Sequence, residues 1–168
     1  MKKFRTTVIT LFVIFAVGSS ALANGLSLNS VGPRALGMGG AFVGLANDGS
    51  AIYWNPAGLA GQESAVMGYF TGVMPFATYK NDMNPMNEID ASANSKLYPT
   101  GGLFANYTTG KWAFGLGIFV PAGLGVEWNA EDIYTSVATG KEFMSEIGAV
   151  SISPAVAYQI TDQFSLGL

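Results

Sequence analysis

The side chains that carry most protein chemistry are scarce in this sequence. Among its 168 residues there is no His and no Cys. Within this stretch that excludes zinc sites built on those ligands and His-based acid–base catalysis. Gly37-Met38-Gly39-Gly40 has the glycine density of a phosphate loop. It follows no strand, however, and lacks the Lys-Ser/Thr of a nucleotide cradle. Asp48 and Ser50 read as a turn, and neither a catalytic triad nor a metal cluster can be assembled. The expectation is a protein that is not an enzyme and takes no metal or cofactor. The distinctive run is Asn55-Pro56-Ala57. Asn is a good N-cap and Pro a good first helical residue, so residues 57–60 read as one helical turn. Its work is structural: either it holds its own segment in place, or it takes part in gating.

That turn closes an unusual stretch. Residues 31–60 carry seven glycines, yet also Leu36, Met38, Phe42, Val43, Ile52, Tyr53, Trp54 and Leu59. Glycine suits sharp bends and close backbone approach. Exposed loops are polar, so an irregular, glycine-rich, apolar segment reads as a plug seated inside something else.

The first 23 residues read as a signal peptide. A basic start (Lys2, Lys3, Arg5) precedes an apolar core from Val8 to Val17, and Ala21-Leu22-Ala23 is a small-x-small cleavage site. The apolar run is too short to span a bilayer as a helix. Removing the peptide leaves five basic residues, Arg34, Lys80, Lys96, Lys111 and Lys141, against 11 acidic ones, a net charge of −6. Nucleic acid is therefore not an expected partner. Charged residues make up 11% of the chain, against about 25% in soluble domains. Nothing after Ala23 is a continuous apolar run of helix-spanning length. High apolarity without such a run points to an all-β membrane protein, a transmembrane antiparallel β-barrel.

The remaining chain fits that class. Residues 63–76 read as a first strand ending at Pro75. Residues 77–99 read as a long polar loop. Residues 100–108 and 112–120 form a hairpin about Thr109-Gly110-Lys111. In its second strand Trp112, Phe114, Leu116, Ile118 and Val120 alternate with Ala113, Gly115, Gly117 and Phe119. Nine residues at period two match a membrane-spanning strand. A soluble sandwich would show polar residues on its second face. Residues 121–141 read as a second long loop whose Leu124, Val126, Trp128 and Ile133 could line a greasy pocket. Residues 142–160 read as a fourth strand, in which Pro154 should mark a bulge or weakened pairing. A fifth begins at Phe164. Five strands cannot close a barrel, so the expectation is the N-terminal part of a longer protein. Its organisation is signal peptide 1–23, plug 24–62 and strands 63–168.

Several segments in order carry a resemblance: Arg34-Ala35-Leu36-Gly37-Met38-Gly39-Gly40-Ala41-Phe42, Ala46-Asn47-Asp48, Ser50 to Leu59 with its Asn55-Pro56-Ala57, residues 112–124 (WAFGLGIFVPAGL), and Pro154-Ala155-Val156-Ala157-Tyr158. Together they resemble the FadL/OmpP1/TodX family of outer-membrane transporters for long-chain fatty acids and other hydrophobic compounds. The resemblance implies a 14-stranded barrel in a Gram-negative outer membrane, its lumen plugged by a partly helical N-terminal hatch. It implies ligand capture by extracellular loops, a shift of the hatch N-terminus, and lateral release through a kinked third strand. Membrane lipid and lipopolysaccharide would surround it, and the full-length protein would be a monomer.

On that resemblance the third strand is 112–120, and Gly115 and Gly117 are the kink candidates. Leu124, Val126, Trp128 and Ile133 are the ligand-contact candidates. Asn55, Pro56, Ala57 and Arg34 are the hatch and gating candidates, Arg34 being a buried cation that needs an acidic partner in the wall. Lys80, Lys96 and Lys141 lie in or beside loops where a carboxylate head group could meet them. The rival reading is a non-transporting outer-membrane barrel that serves secretion or assembly.

Overall fold

A computed structural model describes residues 27–28, 31–81, 89–133 and 142–168. The signal-peptide stretch and Lys141 lie outside the described residues. Five strands form one antiparallel sheet in the order β1 (Ala65–Val73), β4 (Tyr98–Thr109), β5 (Trp112–Asn129), β6 (Glu142–Thr161) and β7 (Phe164–Gly167). Two shorter strands, β2 (Thr78–Asn81) and β3 (Ile89–Ser92), pair with each other in a separate hairpin. No helix among the described residues is long and apolar enough to cross a membrane.

The alternation read from the sequence sorts the two faces of the sheet. Leu103 lies opposite Ile118, and Ile118 opposite Ile152. This aliphatic row crosses three strands on the outer face, where all three residues are exposed. Nearer the tight turns Trp112 lies opposite Tyr158, and Tyr158 opposite Leu166. The ring centroids of Trp112 and Tyr158 are 4.6 Å apart. On the other face Met67 lies opposite Phe104 and Phe104 opposite Gly117, and Phe104 is 1% exposed. A soluble sheet hides its apolar face and wets the other. Here Val66 is 80% exposed and Phe70 74%, which suits an apolar solvent. The sheet is a section of barrel wall.

The glycine-rich segment packs on the inner face. It contains α1 (Pro33–Gly37), α2 (Ala51–Trp54) and a 3-10 turn (Pro56–Leu59). Val31, Ala46, Ala51, Ile52 and Leu59 join Phe104, Ala113, Phe119, Ala155 and Ala157 of the strands in one buried cluster. Small residues on the wall leave room for these side chains. A Cβ on Gly115 would lie 2.9 Å from both Ile52 and Leu59.

Several expectations change. The loop read over 77–99 contains the β2–β3 hairpin, stapled by Lys80 and Asp90 at 2.7 Å, and its last two residues already belong to β4. The loop read over 121–141 begins too early, because β5 runs on to Asn129, paired with β6. Leu124, Val126 and Trp128 are thus strand residues, and Ile133 ends α3 (Ala130–Ile133).

Pro154 makes no bulge; it sits in register opposite Leu116. Val156 exchanges backbone hydrogen bonds with Leu168, on the β7 side. Alternate residues point the same way, so the N–H that Pro154 lacks faces that side too, and the β5 ladder loses nothing. The register also runs unbroken through Gly115 and Gly117, and the shift falls between Phe119 and Ala122, around Pro121.

Candidate functional site

The Asn55-Pro56-Ala57 turn is held from three directions. Asn55 precedes the 3-10 turn, and its side chain does not cap it. The amide Nδ2 donates instead to the carbonyl of Val43, 3.1 Å away. Gln62 Nε2 donates to the carbonyls of Ala46 (3.1 Å) and Gly58 (2.6 Å). Gly58 lies so close to the Ala46 carbonyl that no side chain fits there, and Ala46 itself has φ 29°. Gly167 of β7 packs directly on the backbone of Pro56 and Ala57. The turn therefore rests on the fifth strand of the sheet, while Ile52 and Leu59 rest on the third.

Gly58→Ala should push this backbone seat apart, at a cost of about 1–3 kcal/mol, as for overpacking elsewhere. Urea unfolding of the detergent-solubilised protein measures it.

The second feature lies at the register shift. β4 and β5 pair from Thr109 and Trp112 up to Gly102 and Phe119, and there the ladder ends. Beyond it β4 continues to Tyr98 paired with β1, and β5 continues to Asn129 paired with β6. The two strands part. Pro121 cannot donate a backbone hydrogen bond, and proline favours breaks of this kind.

The N-terminal segment occupies this place. Ser27 bridges Ala122, and the Leu28 N–H donates to the Pro121 carbonyl at 3.0 Å. A cavity of about 210 Å³ opens between the parted strands, lined by Leu28, Val73, Tyr98, Val120, Leu124 and Ile147 among others. Its lining is predominantly apolar, as a hydrophobic ligand requires.

Above the parting, a polar cluster ties the chain between β3 and β4 to the far end of β5. The Asn94 N–H donates to the Glu127 carbonyl at 2.8 Å, and its side-chain Nδ2 reaches Glu127 Oε1 and Asn129 Oδ1, both at 3.2 Å. Lys96 Nζ lies 3.5 Å from Glu127 Oε2. The hydrogen bond and charge of Glu127 raise the Lys96 pKa above its ordinary 10.5. The Lys96 ammonium is therefore charged at neutral pH, and its contribution to the pair fades as pH rises through that raised value.

The predicted site residues divide accordingly. Leu124 lines the cavity; Val126, Trp128 and Ile133 do not. Gly115 and Gly117 face the packed interior, where a Cβ on Gly117 would lie 2.8 Å from Phe104. Arg34 is exposed rather than buried. Its guanidinium lies 5.9 Å from the Phe42 ring centroid, and it has no acidic partner among the described residues. Of the head-group lysines, Lys80 and Lys96 are each held by a carboxylate.

Sequence reasoning missed Leu28, Tyr98, Pro121, Gly125 and Glu127. The signal for Pro121 was present: Leu124, Val126 and Trp128 keep the period of two beyond it, which marks a bulged strand rather than a loop. The pairing of Leu28 across nearly a hundred residues has no local signal.

A family model described as outer membrane protein transport protein (OMPP1/FadL/TodX) matches residues 14–168. No curated protein and no solved structure matches the chain.

Proposed function

The chain belongs to the outer membrane protein transport family (OMPP1/FadL/TodX), and from that premise we propose that it is a passive channel for long-chain fatty acids or other hydrophobic small molecules across a Gram-negative outer membrane. The observation that carries the reading is the parting of β4 and β5 over an apolar cavity in a wall whose outer face is itself apolar. A ligand leaving there would pass from one apolar surface to another without crossing water, so no energy source is required.

In this reading residues 24–62 are the hatch, and extracellular loops capture the ligand. Ser27 and Leu28 are the movable part, since among the described residues they meet β5 through a single isolated bridge, which includes the Leu28–Pro121 hydrogen bond. The Asn55-Pro56-Ala57 turn is the brace that stays, because glycine-tight backbone contacts fix it to Ala46 and Gly167. Gly115 and Gly117 contribute by admitting hatch and wall side chains, and Pro121 supplies the kink. Outer-membrane lipid and lipopolysaccharide cover the outer face, and the protein acts as a monomer.

The test is uptake of radiolabelled oleate by a deletion strain carrying the gene on a plasmid. Restored uptake is expected. Unchanged uptake together with a secretion defect would transfer the protein to the secretion or assembly class.

A further inference from the structure

Where the hydrogen-bonded wall stops, one side chain bridges the two strands. Tyr98 stands at the start of β4, opposite Val73 of β1. Its ring lies directly on Gly125 of β5, so close that a Cβ there would sit inside it. Gly125 is buried beneath it, although β4 and β5 share no ladder at this level. Glycine at this point of the strand is what lets another group approach so closely. The Tyr98 hydroxyl is buried and has no hydrogen-bond partner among the described residues. The ring is therefore held by packing on Gly125 and by the Lys96 ammonium 5.7 Å from its centroid, with nothing polar pinning its tip. Tyr98 also lines the cavity beside Val120 and Leu124. Directly before it in the chain, Asn94 and Lys96 are tied to Glu127, which holds the backbone at the ring's base against β5.

We propose that Tyr98 determines specificity as the shutter of the lateral opening, its ring setting the width of molecule that passes between β4 and β5. The inference rests on the lateral-release reading above and adds a residue to it. The ring swings off Gly125 for a slender acyl chain. A wide group cannot pass, because the tie at Glu127 above and the last ladder pair, Gly102 and Phe119, below hold the strands at a set separation.

The experiment compares uptake of oleate with that of a fatty acid bearing a terminal pyrene, in the deletion strain expressing wild type, Tyr98→Phe, Tyr98→Leu or Tyr98→Ala. Tyr98→Phe keeps the ring and should leave the pyrene-to-oleate ratio unchanged. Tyr98→Leu and Tyr98→Ala should raise it progressively, to roughly tenfold for alanine, the scale on which an apolar site discriminates by size. Where Tyr98→Ala assembles poorly, Tyr98→Leu carries the comparison. A ratio that stays at the wild-type value in Tyr98→Leu while oleate uptake persists overturns the shutter and leaves lateral release standing. Oleate uptake that continues with Ser27 and Ala122 cross-linked overturns lateral release, and the shutter falls with it.

Discussion

Oxidising a Ser27→Cys/Ala122→Cys double variant should abolish uptake of hydrophobic substrate, and reduction should restore it. The two residues form an isolated antiparallel bridge. The Leu28 N–H donates to Pro121, the neighbours on either side of that pair. Ser27 and Ala122 are therefore a non-hydrogen-bonded pair, whose Cα atoms lie about 4.5 Å apart. A disulfide spans Cα separations of about 4.4–6.8 Å, so the bond can form without moving the backbone. No native Cys within these 168 residues competes for the pairing, and a disulfide persists in the oxidising cell envelope. Covalent closure removes the one movement that lateral release requires at this point. Uptake should fall at least about tenfold, which corresponds to a barrier about 1.4 kcal/mol higher. Each single Cys variant should transport normally. Wild-type rates with the bond fully formed would show that the ligand takes another route.

The second large effect concerns the outer face. Leu116 is the fifth of the nine alternating residues from Trp112 to Val120, and it is exposed. On a water-facing surface Leu116→Arg would change stability by no more than about 0.5 kcal/mol. At the middle of a lipid-facing strand the same change costs about 2–4 kcal/mol. Urea titration of the protein folded into phosphatidylcholine vesicles separates the two, with Leu116→Ile as the control that keeps the face apolar. A neutral Leu116→Arg would remove this face from the membrane, and with it the argument that a ligand leaves into lipid.

The legible part of the fold was the part written in local periodicity. Trp112 to Val120 and Val150 to Ile160 alternate, and in the structure Trp112, Phe114, Leu116, Ile118, Val150 and Ile152 are exposed on one face while Ala113, Ala155, Ala157 and one large residue, Phe119, are buried on the other. The Thr109-Gly110-Lys111 turn was equally local, since Gly110 takes φ 57°, which glycine accepts at no steric cost. The glycine-rich segment was expected to bury its apolar residues; Val31, Phe42 and Leu59 are fully buried, whereas Leu36, Met38, Val43, Leu45 and Tyr53 stay exposed. The site was less legible. Leu124 was named as a ligand contact for its apolarity and does line the cavity, although from a strand and not from a loop. Val126, Trp128 and Ile133 satisfied the same criterion and lie elsewhere. Apolarity alone does not say which side chains reach the cavity; strand position does.

The sequence by itself determined the fold class of the protein: strand period and small residues on one face are properties of residue type and order. The tertiary structure decided the rest, because each remaining question asks which neighbour a residue meets. Pro154 is harmless because its missing N–H faces away from β5, and Pro121 marks the break because β4 has left its side. Arg34 stands exposed, its guanidinium 5.9 Å from the Phe42 ring centroid. Leu28 reaches Pro121, and Tyr98 reaches Gly125, only because the sheet brings distant segments together. Hydrogen-bond direction and strand adjacency are non-local, and they are what end the β4–β5 ladder at Gly102 and Phe119.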